Sequence, residues 1–520
     1  MDLPPTGSPE YQHWLKFKDA YGPISSVTVL GSTLVIIHDK EAAHDILEKT
    51  SSKTSSRPSM YFGGKLCGFE EVLSFMSYNS TFRQHRKLVH QQLGTKTAVS
   101  RFRDIEDVES RRFLLRTLND SANVTQHIKT YVGSVPKHHR RSHAKYICCS
   151  MYETFTKLIL SEATAIILQI VYGYSIEPQT ADPLVLLIEC LMQNLSDAFV
   201  PLSWAVDILP ILNYLPEGVP GTSFKKTARK WKELLRMVME TPYDFVRQQV
   251  AKGSHRPSYV ASLVEEHDKN DGGNMNDDEE KAIKSTAAIM YAGGADTTVS
   301  SIRGCILAMM LYPSVQRKAQ AEIDAVIGDG RLPQFEDRER LPYVDALVKE
   351  TLRWLPVTPM GVAHLTDTEI YHSGFRIPKG ASLLPAVWWF LHDPQIYSDP
   401  ASFEPDRYLE PRNEPDPATE AFGYGRRICP GRFLADESLF LTISRLLAVF
   451  DITKAVDENG KEIEPEIDLT PGLIGHPLNF PCCIRPRSAK SVDLIRTIEV
   501  EHPWEKGDAS LLTGSLLEDA

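Results

Sequence analysis

The segment Phe422-Gly-Tyr-Gly-Arg-Arg-Ile-Cys-Pro-Gly431 constrains this chain more than any other stretch. It sets one cysteine, Cys429, in a glycine-rich loop just before an apolar helical run, Phe433 to Phe450. A thiolate there sits near a helix N-terminus, where free backbone N–H groups and the helix dipole stabilise negative charge. Gly425 and Gly431 allow a tight backbone that can approach a large flat ligand. Arg427 adds a cation two residues before the sulfur. The bland alternative is a buried free cysteine, and further motifs decide between the two.

Phe422, Gly425, Arg427, Cys429 and Gly431 fill all five fixed positions of the pattern F-x-x-G-x-R-x-C-x-G. The segment therefore resembles the haem-binding loop of the cytochrome P-450 family, whose cysteine thiolate pushes electron density toward O–O cleavage. The resemblance implies haem b (iron protoporphyrin IX) as cofactor, with Cys429 as axial ligand of the iron. Glu350-Thr-Leu-Arg353 is the second motif; a Glu and an Arg three apart share one helix face and can pair. Alone it is weak, because solvated pairs at this spacing are common. Phe403-Glu-Pro-Asp-Arg-Tyr408 follows it and resembles the family element whose arginine, here Arg407, locks onto the pair and braces the haem loop.

The third motif is Gly293-Gly-Ala-Asp-Thr-Thr298, inside a long helical run. Adjacent glycines permit a local distortion of the helix ladder. The motif matches the family's (A/G)-G-x-(D/E)-T pattern, in which the alcohol, here Thr297, bonds the oxygen being activated and the acid, here Asp296, relays protons. The bland reading is a packing glycine beside a threonine bonded to its own helix. For the haem carboxylates the resemblance offers Arg86, Arg427 and His364. The sequence departs from the family at three places: Phe82 stands where a Trp is usual, Leu365 where an Arg follows the His, and Ala386 where an Asn is usual. By resemblance, residues 60–76, 190–215, 357–362 and 473–475 line the substrate pocket; Phe62, Phe75, Met76, Phe199, Val357, Met360, Val362, Leu473 and Ile474 suit a hydrophobic small molecule.

The fold expectation follows from periodicity and the resemblance together. Ile24 to Leu30 and Thr33 to His38 read as a hairpin around Gly31-Ser32. Residues 41–49, 102–118, 162–172, 183–199, 225–251, 278–311, 314–327 and 343–355 carry helical spacing of apolar residues. Short strands and turns fill 357–387, and 265–280 is an acidic loop. The result is a mainly α chain with small β-sheets, the cytochrome P-450 fold, as a single large domain over residues 10–487. Residues 488–520 are read as a polar, poorly ordered tail.

Net charge is −11, which argues against a nucleic-acid partner. The eight cysteines lack the spacing of a disulfide framework, which favours a reducing compartment. No stretch of about 18 apolar residues occurs, so nothing spans a membrane. The resemblance to fungal microsomal members implies the cytosolic face of the endoplasmic reticulum, an N-terminal anchor missing from this chain, and peripheral membrane contact through the apolar connector 201–215. It also implies NADPH-cytochrome P-450 reductase and cytochrome b5 as partners, with NADPH acting only through the reductase. The activity implied is a haem-thiolate monooxygenase of secondary metabolism or xenobiotic oxidation. A haem-thiolate isomerase or peroxygenase, and a non-catalytic haem-binding product, are the alternatives.

Residues 130–161 read as a non-family insertion of translated non-coding origin. The stretch is basic in an acidic chain and separates two helices that should pack side by side. His138, His139, His143, Cys148 and Cys149 lie in it at spacings that fit no standard zinc pattern.

Overall fold

The computed structural model describes residues 4–512 apart from 6, 30, 135–139, 178–179, 201–202, 271–274 and 458, with side-chain surroundings for all but 120–155 and 268–270 among them. A helix of 35 residues, Asp277–Leu311, runs through the middle of the molecule. Its start is fixed locally: Asn276 accepts from the Glu279 N–H while the Glu279 side chain accepts from the Asn276 N–H, and four acidic residues occupy the first turn. From Ala282 to Met310 it is buried on nearly every side. That is why its apolar residues show no single stripe.

Helices Arg140–Tyr172, Pro183–Ala198, Ser223–Lys252, Pro342–Trp354 and Arg432–Val449 surround this central helix. Gly294 lets one of them come close: a Cβ there would meet Ile167 Cγ1 at 2.9 Å. The glycine pair does not distort the helix, which runs as regular α-helix through both residues. The packing contact, rather than a break in the ladder, explains Gly294.

The β structure is small. β1 (Ile24–Val29) and β2 (Ser32–Ile37) form the expected antiparallel hairpin, with Gly31 at φ +87°. β3 (His364–Leu365), β4 (Ile370–His372), β5 (Phe375–Ile377) and β6 (Ser382–Pro385) follow. β7 (Phe450–Lys454) pairs with β8 (Cys482–Pro486), and β4 with β5. The largest sheet has the order β1-β2-β6-β3, with β2 and β6 parallel. In it β6 lies between the N-terminal hairpin and the strand that carries His364.

Three expectations need correction. Residues 265–270 are helical, within Tyr259–Asn270, rather than part of a loop. Glu10–Tyr21, not foreseen as a helix, is one, and buries Tyr11, His13, Trp14 and Phe17. The chain after Ser488 is not a disordered tail as far as residue 512. It forms helices Ala489–Arg496 and Ile498–Glu501 and returns across the molecule. Trp504 lies under the guanidinium groups of Arg112 and Arg116, at 5.1 and 4.8 Å, and the Pro503 carbonyl accepts from Arg112. Asp508 accepts from Arg256 and from the Ser175 N–H. Polar residues misled the reading because these ion and cation–π contacts, together with the fully buried Ile495 and Ile498, hold the segment.

The helices flanking the suspected insertion continue into it, as Arg103–Ser134 and Arg140–Tyr172. Their described parts pack together, with Gln169 donating to Glu109 at 3.0 Å. The histidines and cysteines noted between them lie outside the residues whose side chains are described, and among the described residues no cluster could hold a metal ion. Trp504→Ala should lower stability by about 1–2 kcal/mol through loss of the two cation–π contacts. Denaturant unfolding checks this, with hydrogen exchange expected to speed up over residues 489–512.

Candidate active site

The glycine-rich loop is pinned from behind. The Cys429 N–H donates to the Phe422 carbonyl at 2.8 Å, closing the loop on itself. Gly425 has φ +53°, and a Cβ there would strike the Leu47 carbonyl at 2.7 Å. The loop therefore presses on the segment 44–49 with backbone alone. Buried Glu420, just before the loop, accepts from Tyr424 Oη at 2.5 Å and His44 Nε2 at 2.9 Å, and pairs with Lys40 at 3.0 Å. Burial would raise this carboxyl, but Lys40, Tyr424 and His44 outweigh it and hold it below the ordinary value. Glu420 was missed in the sequence; its only signal was a charge beside the motif.

The Glu350 cluster lies one layer further out. Glu350, Arg353 and Arg407 are each fully buried. Glu350 accepts from Arg353 Nε and Nη2 at 2.8 and 2.9 Å, from Arg407 Nε at 3.0 Å, from Tyr408 Oη at 3.0 Å and from the Glu404 N–H at 2.7 Å. The remaining Arg353 donors go to the carbonyls of Leu391, Pro400 and Ser402. Arg407 also pairs with Glu414 at 2.7 Å. Burial works against the Arg407 charge, yet Glu350 and Glu414 hold its pKa above the ordinary value. This cluster fastens the irregular chain 391–414 to the Pro342–Trp354 helix.

Cys429 and Thr297 border one cavity of about 340 Å³, between the loop and the central helix. Gly293 and Gly294 form part of its roof, and a Cβ on Gly293 would meet nothing within 4 Å. Burial pushes the Cys429 thiol up, while the Gly431 N–H, Arg86 and Arg432 pull it down. Thr297 Oγ1 donates to the Gly293 carbonyl at 2.7 Å, so its lone pairs remain open to a ligand. Asp296, the preceding residue, turns away from this cavity and meets His476 Nε2 at 3.1 Å.

Cations collect at the rim. Arg86 donates to the Ile428 carbonyl at 2.5 Å. Arg427 donates to the carbonyls of Ser55, Leu73 and Met76, and sits 3.8 Å over the Phe82 ring. The phenyl ring that replaces the usual indole thus supports the arginine through its face. Arg57 was not foreseen, because it lies in a polar loop without periodicity. It is buried and donates to the carbonyls of Ser74, Val362 and Ala363, beside His364.

Burial, reinforced by Arg427, drives the Arg57 pKa well below the ordinary value; Arg427 falls to about 9 from burial and its neighbour Arg86. Among the described residues no carboxylate pairs with Arg57, Arg86 or Arg427. His364 is not a cation in this arrangement. Burial, Arg57 and Arg427 push it well below its ordinary pKa, and its Nδ1 donates to the Thr54 carbonyl at 2.8 Å. Arg57, a neighbour of this histidine, adds a cation that the sequence reading did not include.

Crowded cations without anions, above an unpaired thiol and beneath a helix with no side chain at Gly293, fit a flat metal-bearing group with anionic substituents. The Cytochrome P450 family model matches residues 6–480, and the chain belongs to that family. It is a monooxygenase-class oxidoreductase with haem as its cofactor. The relative named cytochrome P450 monooxygenase CLM2, from Gibberella zeae, is 54% identical over 98% of this chain and 91% of its own length. Multifunctional cytochrome P450 monooxygenase af510, from Aspergillus fumigatus, is 47% identical over 99% and 91%. An O-methylsterigmatocystin oxidoreductase from Aspergillus flavus is 36% identical over 98% and 89%.

The pocket residues expected from the sequence divide. Phe75, Val357, Val362, Leu473 and Ile474 line the cavity together with Met192, Leu195 and Ile289. Phe199 instead backs Phe75, ring on ring at 3.6 Å, and Phe62 stacks on Trp204 at 3.5 Å. Met76 contributes a carbonyl to Arg427 rather than its side chain to the cavity.

Two predictions follow from burial. Glu350→Ala leaves Arg353 and Arg407 buried without their carboxylate and should cost about 3–5 kcal/mol in denaturant unfolding. Glu106 and Glu162 are pushed up to about 8 by burial, against the hydrogen bonds from Ser438 and Thr442. The folded state therefore holds protons that the unfolded chain releases. Their contribution to stability is complete below the ordinary carboxylate value of 4.5 and is lost as pH rises through about 8. Unfolding midpoints measured across that interval should fall with pH, and Glu106→Gln with Glu162→Gln should flatten the slope.

Proposed function

We propose that the enzyme inserts one oxygen atom of O2 into a C–H bond of a hydrophobic small molecule, with electrons from NADPH delivered through NADPH-cytochrome P-450 reductase and with cytochrome b5 as an accessory donor. The observation that carries the reading is that Cys429 and Thr297 both border one largely apolar cavity. Bound haem b would supply the oxygen-activating iron chemistry, and Cys429 would hold its iron. Arg57, Arg86 and Arg427 would hold its carboxylates, which answers the unmet positive charge at the rim. The Gly431 N–H and Arg86 oppose the burial that raises the Cys429 thiol. The Glu350 cluster braces the chain that leads into the loop.

Thr297 presents a hydroxyl to the reacting face and Asp296 renews its proton from the opposite side of the helix. The presence of this acid–alcohol pair favours a monooxygenase over an isomerase or peroxygenase. Cavity-lining residues such as Phe75, Met192, Leu195, Ile289 and Val357 exclude water and offer few polar anchors. That suits terpenoid, steroid or polycyclic aromatic substrates, in fungal secondary metabolism or xenobiotic oxidation.

Membrane contact is supported by the connector. Trp204 packs inward on Phe62, whereas Leu209, Ile211 and Tyr214 are exposed. Among the described residues no single helix is long and apolar enough to cross a bilayer. Attachment to the cytosolic face of the endoplasmic reticulum would then use this surface.

Cys429→His should abolish the thiolate signature of the reduced carbon-monoxide spectrum while haem remains bound. Thr297→Ala should keep that signature and divert about tenfold more reducing equivalents to peroxide, as loss of a positioned proton donor implies. An unchanged spectrum in the first variant removes Cys429 as ligand; an unchanged peroxide yield in the second removes the monooxygenase proton path.

A further inference from the structure

Asp296 and Thr297 are consecutive, yet they open on different spaces. Successive helical residues point about 100° apart, so neighbours can face opposite flanks of a helix. Thr297 borders the cavity that holds Cys429. Asp296 borders a second cavity of about 870 Å³, walled by the Pro183–Ala198 and Ser223–Lys252 helices and by the loop 470–476. Met192 and Ile474 contribute to both.

The loop that carries His476 is fixed to the same flank of the central helix. Ser300 Oγ donates to the Gly475 carbonyl at 2.7 Å and Arg303 Nη2 to the Pro477 carbonyl at 2.6 Å. These donors lie four and seven residues after Asp296, one and two helical turns along the same stripe. The loop is closed across itself by the Thr470 N–H on the His476 carbonyl at 2.7 Å and the His476 N–H on Thr470 Oγ1 at 3.0 Å. Gly475 N–H donates to the Val357 carbonyl at 2.8 Å. The imidazole is therefore delivered to Asp296 by anchored backbone on both sides. Its Nε2 meets Asp296 Oδ2 at 3.1 Å, and its buried Nδ1 has no protein partner.

We infer that His476 is a positioning residue of the oxygenation reaction: it holds Asp296 toward the second cavity and passes protons from water there to Asp296. This rests on the proton path proposed above and adds the inlet to it. Nε2, the part-exposed nitrogen beside the carboxylate, takes a proton from solvent in that cavity and gives it to Asp296 Oδ2. The ring returns to its starting protonation state, and the buried Nδ1 takes no part. The net result is one proton moved from solvent to Asp296, with no electron transferred.

Other charged groups face this space and belong in the pH response. Glu189, from the Pro183–Ala198 helix, is raised by burial, with Lys157 opposing and Asp296 adding to the rise. Arg303 lies on the central helix itself. Asp197, Lys230 and Glu233 border the cavity from the two surrounding helices. His476 is in hydrogen-bond contact with Asp296.

The test uses substrate-free holoenzyme driven by NADPH through a reductase, so that O2 is partitioned between peroxide and water. His476→Gln keeps an N–H donor but cannot relay; His476→Phe removes both. Peroxide yield and the solvent deuterium isotope effect are read from about pH 5.5 to about pH 9, the interval that brackets imidazole titration. Both variants should keep haem content and the carbon-monoxide spectrum. The peroxide-to-water ratio should rise about tenfold in each and lose the pH-dependent limb of the parent. A second readout is the ring signal of His476 in ¹⁵N-histidine-labelled holoenzyme, assigned by its loss in His476→Gln. Its chemical shift should move in Asp296→Asn.

A parental pH profile in His476→Gln, or a His476 signal indifferent to Asp296→Asn, overturns the inference. If Thr297→Ala still diverts electrons to peroxide in that case, only the inlet fails. If Thr297→Ala has no effect either, the proton path itself is wrong.

Discussion

Everything at the thiol depends on a buried carboxylate, Glu350, that is shared by two arginines, a tyrosine and a backbone N–H. Such a group is costly to desolvate, and one lost partner leaves an uncompensated charge inside the protein. Here the remaining valences are also filled, by carbonyls from 391 to 402, so the cluster ties down chain that has little regular structure of its own. That chain leads to Glu420 and then to Cys429. The rigidity of the thiol thus descends from a helix through ionic contacts rather than from strand pairing. Hydrogen bonds among charged groups are strongly directional, which suits a loop that must present one sulfur at one height.

A second theme is charge left deliberately unmatched. Glu350, Arg353 and Arg407 satisfy one another, whereas Arg57, Arg86 and Arg427 spend donors on carbonyls and meet no described carboxylate. Neutral carbonyls orient an arginine without cancelling it. The rim of the cavity therefore keeps its positive field until an anionic group arrives. The same field keeps His364 neutral, which turns that ring into a spacer fixed by Thr54.

What the sequence revealed depended on whether a feature was local. Cys429 with its glycines, the Glu350–Arg353 spacing and the Gly293–Thr297 run each lie within one short segment, so residue type and spacing were enough to find them. The hairpin at Gly31 and most long helices were legible for the same reason. Arg57, Glu420 and His476 were not legible, because each takes its meaning from residues 180 to 376 positions away: Val362, His44 and Asp296. The segment 489–512 was misjudged because some of its anchors are charged and aromatic groups on distant helices. The direction in which Asp296 points was hidden too: sequence makes it the neighbour of Thr297, and the helix makes it face another space.

The ring pair Phe75–Phe199 joins two parts of the molecule that otherwise look separate. Phe75 is cavity wall; Phe199 ends the helix that leads into the exposed connector. Stacked rings resist sliding apart more than they resist moving together. Any outward swing of the connector must therefore carry the wall with it or break the stack. Selection among bulky molecules would then be exercised at the threshold, as a matter of admission rate, before any of them reaches the reacting centre.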